Sequence, residues 1–353
     1  MDESLKAEVC AALEALGQVL PRRGRVLIVP HDYPDPDALA SAAGLQLLLA
    51  RRWKLRGQIV FSGAVSRAEN IEMLTHFRYK WRLVGQLATP RRAIPALFVD
   101  TTPGSGNVDV PAFAQPVGVF DHHVGAGERV PQGCFAGVVS GMGATTTLVF
   151  EYLEAAGLTI PKWLASVMVY AIATETMDLM AETRQRDLDA YAGLLPRCNF
   201  KMLGEIRHAP LPRAYYAQLA EAMQNACTYG RVAWSHLDTV RHPEIVPEIA
   251  DLLLRMRRIT WAFCTGFVRD RLIVSVRSSQ PNARCERLIK RRIGKNASAG
   301  GHNRMAAGAV ELADLSQDER CARRDALVKA LLAGIEGRVA EEVQKLVPGA
   351  EQG

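Results

Sequence analysis

Residues 25–48, RVLIVPHDYPDPDALASAAGLQLL, limit the possible folds more than any other stretch of the chain. An apolar, β-branched run at 26–29 reads as a strand buried on both faces, and from Ala38 onward Ala and Leu recur at helical spacing. His31, Asp32, Asp35 and Asp37 stand between them, interleaved with Pro34 and Pro36. A strand-to-helix turn at the carboxyl end of a parallel sheet is where open α/β folds bind ligands. Proline fixes its own φ and pushes the residue before it toward extended geometry, so Asp35 and Asp37 can be splayed rigidly around a cation. Asp37 is also placed to cap the following helix.

The same format recurs along the chain. Residues 58–63 read as a strand and 68–77 as a short helix. Apolar runs at 96–100 and 117–121 each close on an aspartate, Asp100 and Asp121, and the second continues into His122 and His123. Helical patterns follow at 144–156 and 162–173. Alternation of this kind predicts an α/β fold with a doubly wound parallel sheet in an N-terminal domain. A chain of 353 residues exceeds what one core usually supports, so a second, smaller α/β domain is expected. The expected boundaries are a first domain at 1–208, a linker at 209–230 and a second domain at 231–353. Within the second, the pattern predicts a strand at 232–237, a helix at 246–256, a hairpin over 262–268 and 272–277, and a helix at 283–292. A glycine-rich turn at 299–302 and a closing helix at 319–347 follow.

Seven cysteines, an odd number without paired spacing, read as reduced thiols. The acidic start, MDES, differs from the basic start of an export signal. No apolar run approaches the roughly 18 residues of a membrane span. A cytoplasmic protein with no membrane partner is the expectation, and the oligomeric state is not encoded legibly. The net charge of +6 favours anionic partners over cationic ones.

Carboxylates and imidazoles without cysteine suit a hard or borderline divalent ion such as manganese or magnesium. Asp100 is central enough in strand order to be a carboxylate shared by two ions. The pattern His31-x-x-x-Asp35-x-Asp37-Ala38-Leu39-x-Ser41-Ala42, the strand-end Asp100 and the triplet Asp121-His122-His123 resemble the DHH phosphoesterases. Ser298-Ala299-Gly300-Gly301-His302, followed by Ala306-Ala307-Gly308, resembles the signature of their associated carboxyl-terminal domain in the nuclease branches. The resemblance covers most of the chain. It implies two divalent metal ions, of the manganese kind, held by His31, Asp35, Asp37, Asp100, His122 and one later acid. It also implies that His123 faces the substrate phosphate, with Asp121 beside it orienting a histidine. Where that family carries aspartate in its fourth motif, this chain reads Thr174-Glu175-Thr176-Met177-Asp178. Glu175 occupies the aligned position, and Asp178 lies about one helical turn on.

In the second domain, Arg277 and Arg284 flank a polar loop. The forked guanidinium matches phosphate oxygens, while Gly300 and Gly301 permit close backbone approach and His302 would reach a phosphate or ribose. Aromatic content is 7%, and no strand interleaves aromatic with basic residues as a long single-strand platform requires. The expected substrate is therefore short: a short oligonucleotide or dinucleotide. The resemblance implies a short-oligoribonucleotide exonuclease first and a phosphodiesterase of linear or cyclic dinucleotides second. A nucleotide-binding regulator weakened in turnover through Glu175 is the rival from another class.

Overall fold

The structure is a computed structural model, and it describes residues 2–180, 183–294, 297–301, 303–337 and 343–347. The chain divides into two compact units, Met1–Ala209 and Pro210–Gly353.

The first unit runs α1 (Glu3–Val19), β1 (Arg25–Pro30), α2 (Pro36–Arg52), β2 (Arg56–Phe61), α3 (Ala68–Thr75), β3 (Trp81–Leu83), β4 (Ile94–Val99), β5 (Ala114–Asp121) and β6 (Phe135–Val138). It continues through α4 (Thr145–Ala155), α5 (Lys162–Glu175), α6 (Gln185–Leu194) and α7 (Phe200–Arg207). The strands pair in the order β3-β2-β1-β4-β5-β6, every pairing parallel, which is the order of a doubly wound sheet. Side chains alternate between the two faces of the sheet. Val26, Ile28, Leu97 and Phe120 join the larger core with α1, α2, α4 and α5. Leu27, Val29, Phe98 and Val119 face a smaller core closed by connecting-segment residues such as Leu87, Val110 and Phe113. Helix α5 is buried continuously from Trp163 to Ala173, which explains why its sequence is apolar on every side.

Helix α2 starts at Pro36, whose missing N–H is no loss in the first turn. Its cap is Asp35, whose Oδ1 accepts from the Ala38 N–H at 3.0 Å. The expected cap, Asp37, is turned inward and serves another helix.

The second unit runs α8 (Arg213–Gln224), β7 (Cys227–Tyr229), β8 (Val232–Leu237), α9 (Ile245–Leu254), β9 (Trp261–Val268), β10 (Arg271–Ser278), α10 (Cys285–Arg292), β11 (Ala297–Gly301), β12 (Met305–Glu311), α11 (Gln317–Glu336) and β13 (Gln344–Lys345). Its seven strands lie in the order β11-β12-β10-β9-β8-β7-β13. Only β8 and β9, joined through α9, are parallel. One face packs on α8 and α9, the other on α10 and α11.

Three sequence expectations change here. The segment expected as a linker with a connecting helix belongs to the second unit, where Ala222 and Ala226 are buried with Ala233 and Ile249. The glycine-rich stretch is largely strand, with Gly300 opposite Ala307 and Gly301 opposite Ala306. The closing helix stops at Gly337, whose φ of +80° is a conformation that ends helices. The seven cysteines are free thiols. Among the described residues no helix is long and apolar enough to cross a membrane.

Candidate metal centre

Strand order reverses between β1 and β4, and chains leaving such neighbouring strands in opposite directions open a crevice beyond their carboxyl ends. Pro30 pairs with Val99, and Val99 with Phe120, so His31, Asp100 and Asp121 are next in line on three adjacent strands. Asp100 itself turns out of its strand at φ +58°, a left-handed conformation that Asp tolerates better than most residues.

Two groupings of potential ligand atoms share Asp100: His31 with Asp35, and His122 with His123. His31 Nε2 lies 3.6 Å from both Asp35 Oδ2 and Asp100 Oδ2, too long for hydrogen bonds. Its Nδ1 donates to the Asp32 carbonyl at 2.9 Å, so Nε2 is the nitrogen that faces the carboxylates. His122 repeats the arrangement, with Nδ1 donating to the Met142 carbonyl at 2.8 Å. Its Nε2, 3.5 Å from Asp100 Oδ1 and 4.0 Å from Asp37 Oδ2, is buried without a hydrogen-bond partner among the described residues. An orphaned imidazole nitrogen aimed at carboxylates, with its other nitrogen fixed by a carbonyl, is the pattern of a metal-ligating histidine. Oxygen and imidazole donors without sulfur fit a divalent ion of the magnesium or manganese kind.

Asp37 is fully buried, and its carboxylate closes the amino terminus of α4, accepting from the Thr145 N–H at 2.7 Å and the Thr146 N–H at 2.8 Å. Thr145 Oγ1 donates to Asp100 Oδ1 at 2.8 Å, so one helix start steadies two of the carboxylates. Asp121 stands behind His123. Its Oδ1 accepts from the His123 N–H at 3.0 Å and from Nδ1 at 2.7 Å, while Oδ2 accepts from Thr102. Asp121 thereby fixes the ring of His123 and lies outside both ligand groupings.

Burial, then the neighbouring Asp100 charge, pushes Asp37 up to about 7. Burial and the Asp35 charge push Asp100 up as well. Burial opposes the charged form of His31, yet Asp35 and Asp100 overcome it and hold the imidazole up at about 10. Burial also opposes ionisation of Asp35, and His31 outweighs it, leaving that carboxyl down at about 2. His123 is held up to about 9, chiefly by its hydrogen bond to Asp121. Buried carboxylates short of positive charge gain most from a divalent cation.

The two fourth-motif acids lie at the end of α5 and just beyond it. Glu175 is the last residue of α5 and half-buried, outside the clusters found among the described residues. Asp178 is exposed and lies 3.4 Å from Arg207, on a segment in which Met177, Asp178 and Leu179 all have positive φ. In the second unit, Arg277 is already engaged by Asp251, Ser275 Oγ and the Val276 carbonyl. Arg284 is exposed, and its guanidinium makes no hydrogen bond or ion pair among the described residues. Gly301, at φ +143°, could not carry a Cβ, which would meet the Met305 carbonyl at 2.4 Å. His302 lies outside the described residues.

Sequence reading missed the supports. Thr145 and Thr146 hold Asp37, while Thr147 Oγ1 and the Gly143 N–H both donate to the buried Asp187. Three consecutive threonines at a helix start were the available signal.

No family model matches the chain. An uncharacterised protein of Methanocaldococcus jannaschii is 25% identical over 292 residues, which are 82% of this chain and 59% of that protein. The chain thus spans about three fifths of the length of the curated relative it matches. Among solved structures, an exopolyphosphatase-related protein from Bacteroides fragilis superposes with a TM-score of 0.70 at 14% identity, covering 92% of this chain and 97% of that one. The exonuclease RecJ bound to manganese aligns at a TM-score of 0.48 and 16% identity, over 94% of this chain and 97% of that one. The chain shares the fold of the exopolyphosphatase-related protein, and its motifs resemble those of the DHH phosphoesterases.

Proposed function

We propose that this protein is a metal-dependent phosphoesterase that hydrolyses short nucleotide phosphodiesters, a short-oligoribonucleotide exonuclease before a phosphodiesterase of linear or cyclic dinucleotides. One observation carries the reading: the buried, partnerless Nε2 of His122 aimed at Asp37 and Asp100, where the sheet changes strand order. His31, Asp35, Asp37, Asp100 and His122 hold the divalent ions, of which manganese is the first choice. Such ions supply charge neutralisation at phosphate oxygens and lower the pKa of water. His123, fixed by Asp121, is the group that meets the phosphate. Within the second unit, Arg284, exposed and without a hydrogen bond among the described residues, and the exposed Gly300 backbone are candidate phosphate-binding groups. Arg277 contributes only by leaving Asp251.

The test is incubation of the full chain with manganese and a panel: a dinucleotide, a five-residue RNA, a long single strand, a cyclic dinucleotide and pyrophosphate. Turnover falling from the dinucleotide to the long strand is expected, and equal degradation of long strands would overturn the short-substrate reading. A second reading, a nucleotide-binding regulator without turnover, rests on the glutamate that stands at position 175 where the resembled family carries aspartate. Metal-dependent turnover of any member of the panel excludes it.

A further inference from the structure

Tyr33 lies two residues from His31 and two from Asp35, and no role assigned above uses it. Its backbone is left-handed, at φ +53°, an uncommon conformation for a residue of its bulk. The surrounding loop fixes that conformation. The Tyr33 N–H donates to the Ser62 carbonyl at 3.0 Å, the Asp32 N–H to the Asn107 carbonyl at 2.8 Å, and Asp32 Oδ2 accepts from the Asp109 N–H at 2.9 Å. The ring lies against Gly63, just past the end of β2. A Cβ on Gly63 would meet the Tyr33 ring at 2.7 Å from Cγ and Cδ1, so the glycine leaves room for the ring. In spite of this careful seating, the side chain is 71% exposed, and its hydroxyl makes no hydrogen bond among the described residues.

An aromatic ring that anchors a fold buries its faces or ties down its hydroxyl. This one does neither. Backbone strain kept in place by neighbouring structure is a mark of functional positions. We infer that Tyr33 is a stacking platform for a planar ring of the substrate, placed at the mouth of the metal centre by the same turn that supplies His31 and Asp35. In the proposed substrate, the planar ring a few bonds from the phosphate is a nucleobase. The inference rests on the phosphoesterase reading and names the residue that would select nucleotide esters over inorganic polyphosphates.

The test measures binding rather than turnover, so it can fail separately from the hydrolytic reading. The full chain, loaded with manganese, is titrated calorimetrically with adenosine monophosphate and with inorganic phosphate. The wild type is expected to bind the nucleotide more tightly by roughly tenfold, the scale of one base stacked on an aromatic side chain. Tyr33→Phe should keep that ratio, and Tyr33→Gly should bring it close to one. Glycine adopts φ +53° freely, so the Tyr33→Gly protein should also melt no lower than the wild type. A wild type that binds the nucleotide no more tightly than phosphate, or binds neither, overturns the inference. So does an unchanged ratio in Tyr33→Gly. A lower melting temperature with equal weakening of both ligands would make Tyr33 a structural residue instead.

Discussion

Asp100 belongs to both ligand groupings, so its removal tests the centre most directly. Asp100→Asn should lower manganese stoichiometry at both positions and reduce turnover by more than about a hundredfold, as measured by equilibrium dialysis and product analysis. Retention of two ions would remove Asp100 from its shared role. Proton linkage at the same cluster has a definite sign. His31 is held up to about 10, so below that pH an incoming ion must displace its proton, and affinity should rise with pH by up to about tenfold per unit. Asp37, pushed up to about 7, adds a second proton to displace under more acidic conditions, so the slope should steepen below neutrality. Calorimetry in buffers of different ionisation enthalpy reads the protons released; an affinity independent of pH between 7 and 9 would contradict the His31 assignment, and a slope that does not steepen below 7 the Asp37 assignment. The strand-end position of His31, Asp100 and Asp121 was legible because each follows a short apolar run. The Nδ1 bonds that fix His31 and His122 were not, since each depends on a carbonyl placed by folding.

At the scale of elements, the parts that the sequence disclosed are those that carry their own signal. β1, β4 and β5 are apolar runs ending at polar residues, and Pro36 marks the start of α2. β11 and β12 are rich in Ala and Gly and have little intrinsic strand preference, so only the pairing of β12 to β10, and of β11 to β12, makes them strands. The docking of α4 on Asp37 is equally silent in sequence, because it joins residues 37 and 145 through a helix end. The end of α5 leaves the fourth motif to be decided by experiment. Glu175→Gln should cost more activity than Asp178→Asn, because Asp178 is exposed and pairs with Arg207. The reverse order in a side-by-side assay would transfer the role to Asp178.

Over the whole molecule, two separate pairs of cores imply separate stabilities. In the second unit, His236 is pushed down to about 4, first by burial and then by Arg324. Its Nε2 lies 3.1 Å from Asp238 Oδ1 and its Nδ1 3.0 Å from Thr265 Oγ1, an arrangement satisfied by a neutral ring with the proton on Nε2. A base whose pKa is depressed on folding contributes stability that is present above its unfolded value of about 6.5 and lost as pH falls toward 4. Unfolding of the second unit, followed by urea titration, should therefore ease by up to about 3 kcal/mol across that window. His236→Gln should flatten the dependence, and an unchanged pH profile in that variant would assign it elsewhere.

Parallel pairing of β1 with β4 brings Leu27 beside Ala96, a contact that the chain reaches only after closing a long loop. A slip of one residue between those strands would turn their side chains to opposite faces and separate His31 from Asp100. The ion can therefore bind only after the strands have found their register, and it acts as a lock on a finished topology. Manganese should slow unfolding in stopped-flow mixing while leaving the refolding rate unchanged, since ligands that recognise only the completed state act on the unfolding limb. Faster refolding with the ion present would mean that the crevice assembles before the sheet does.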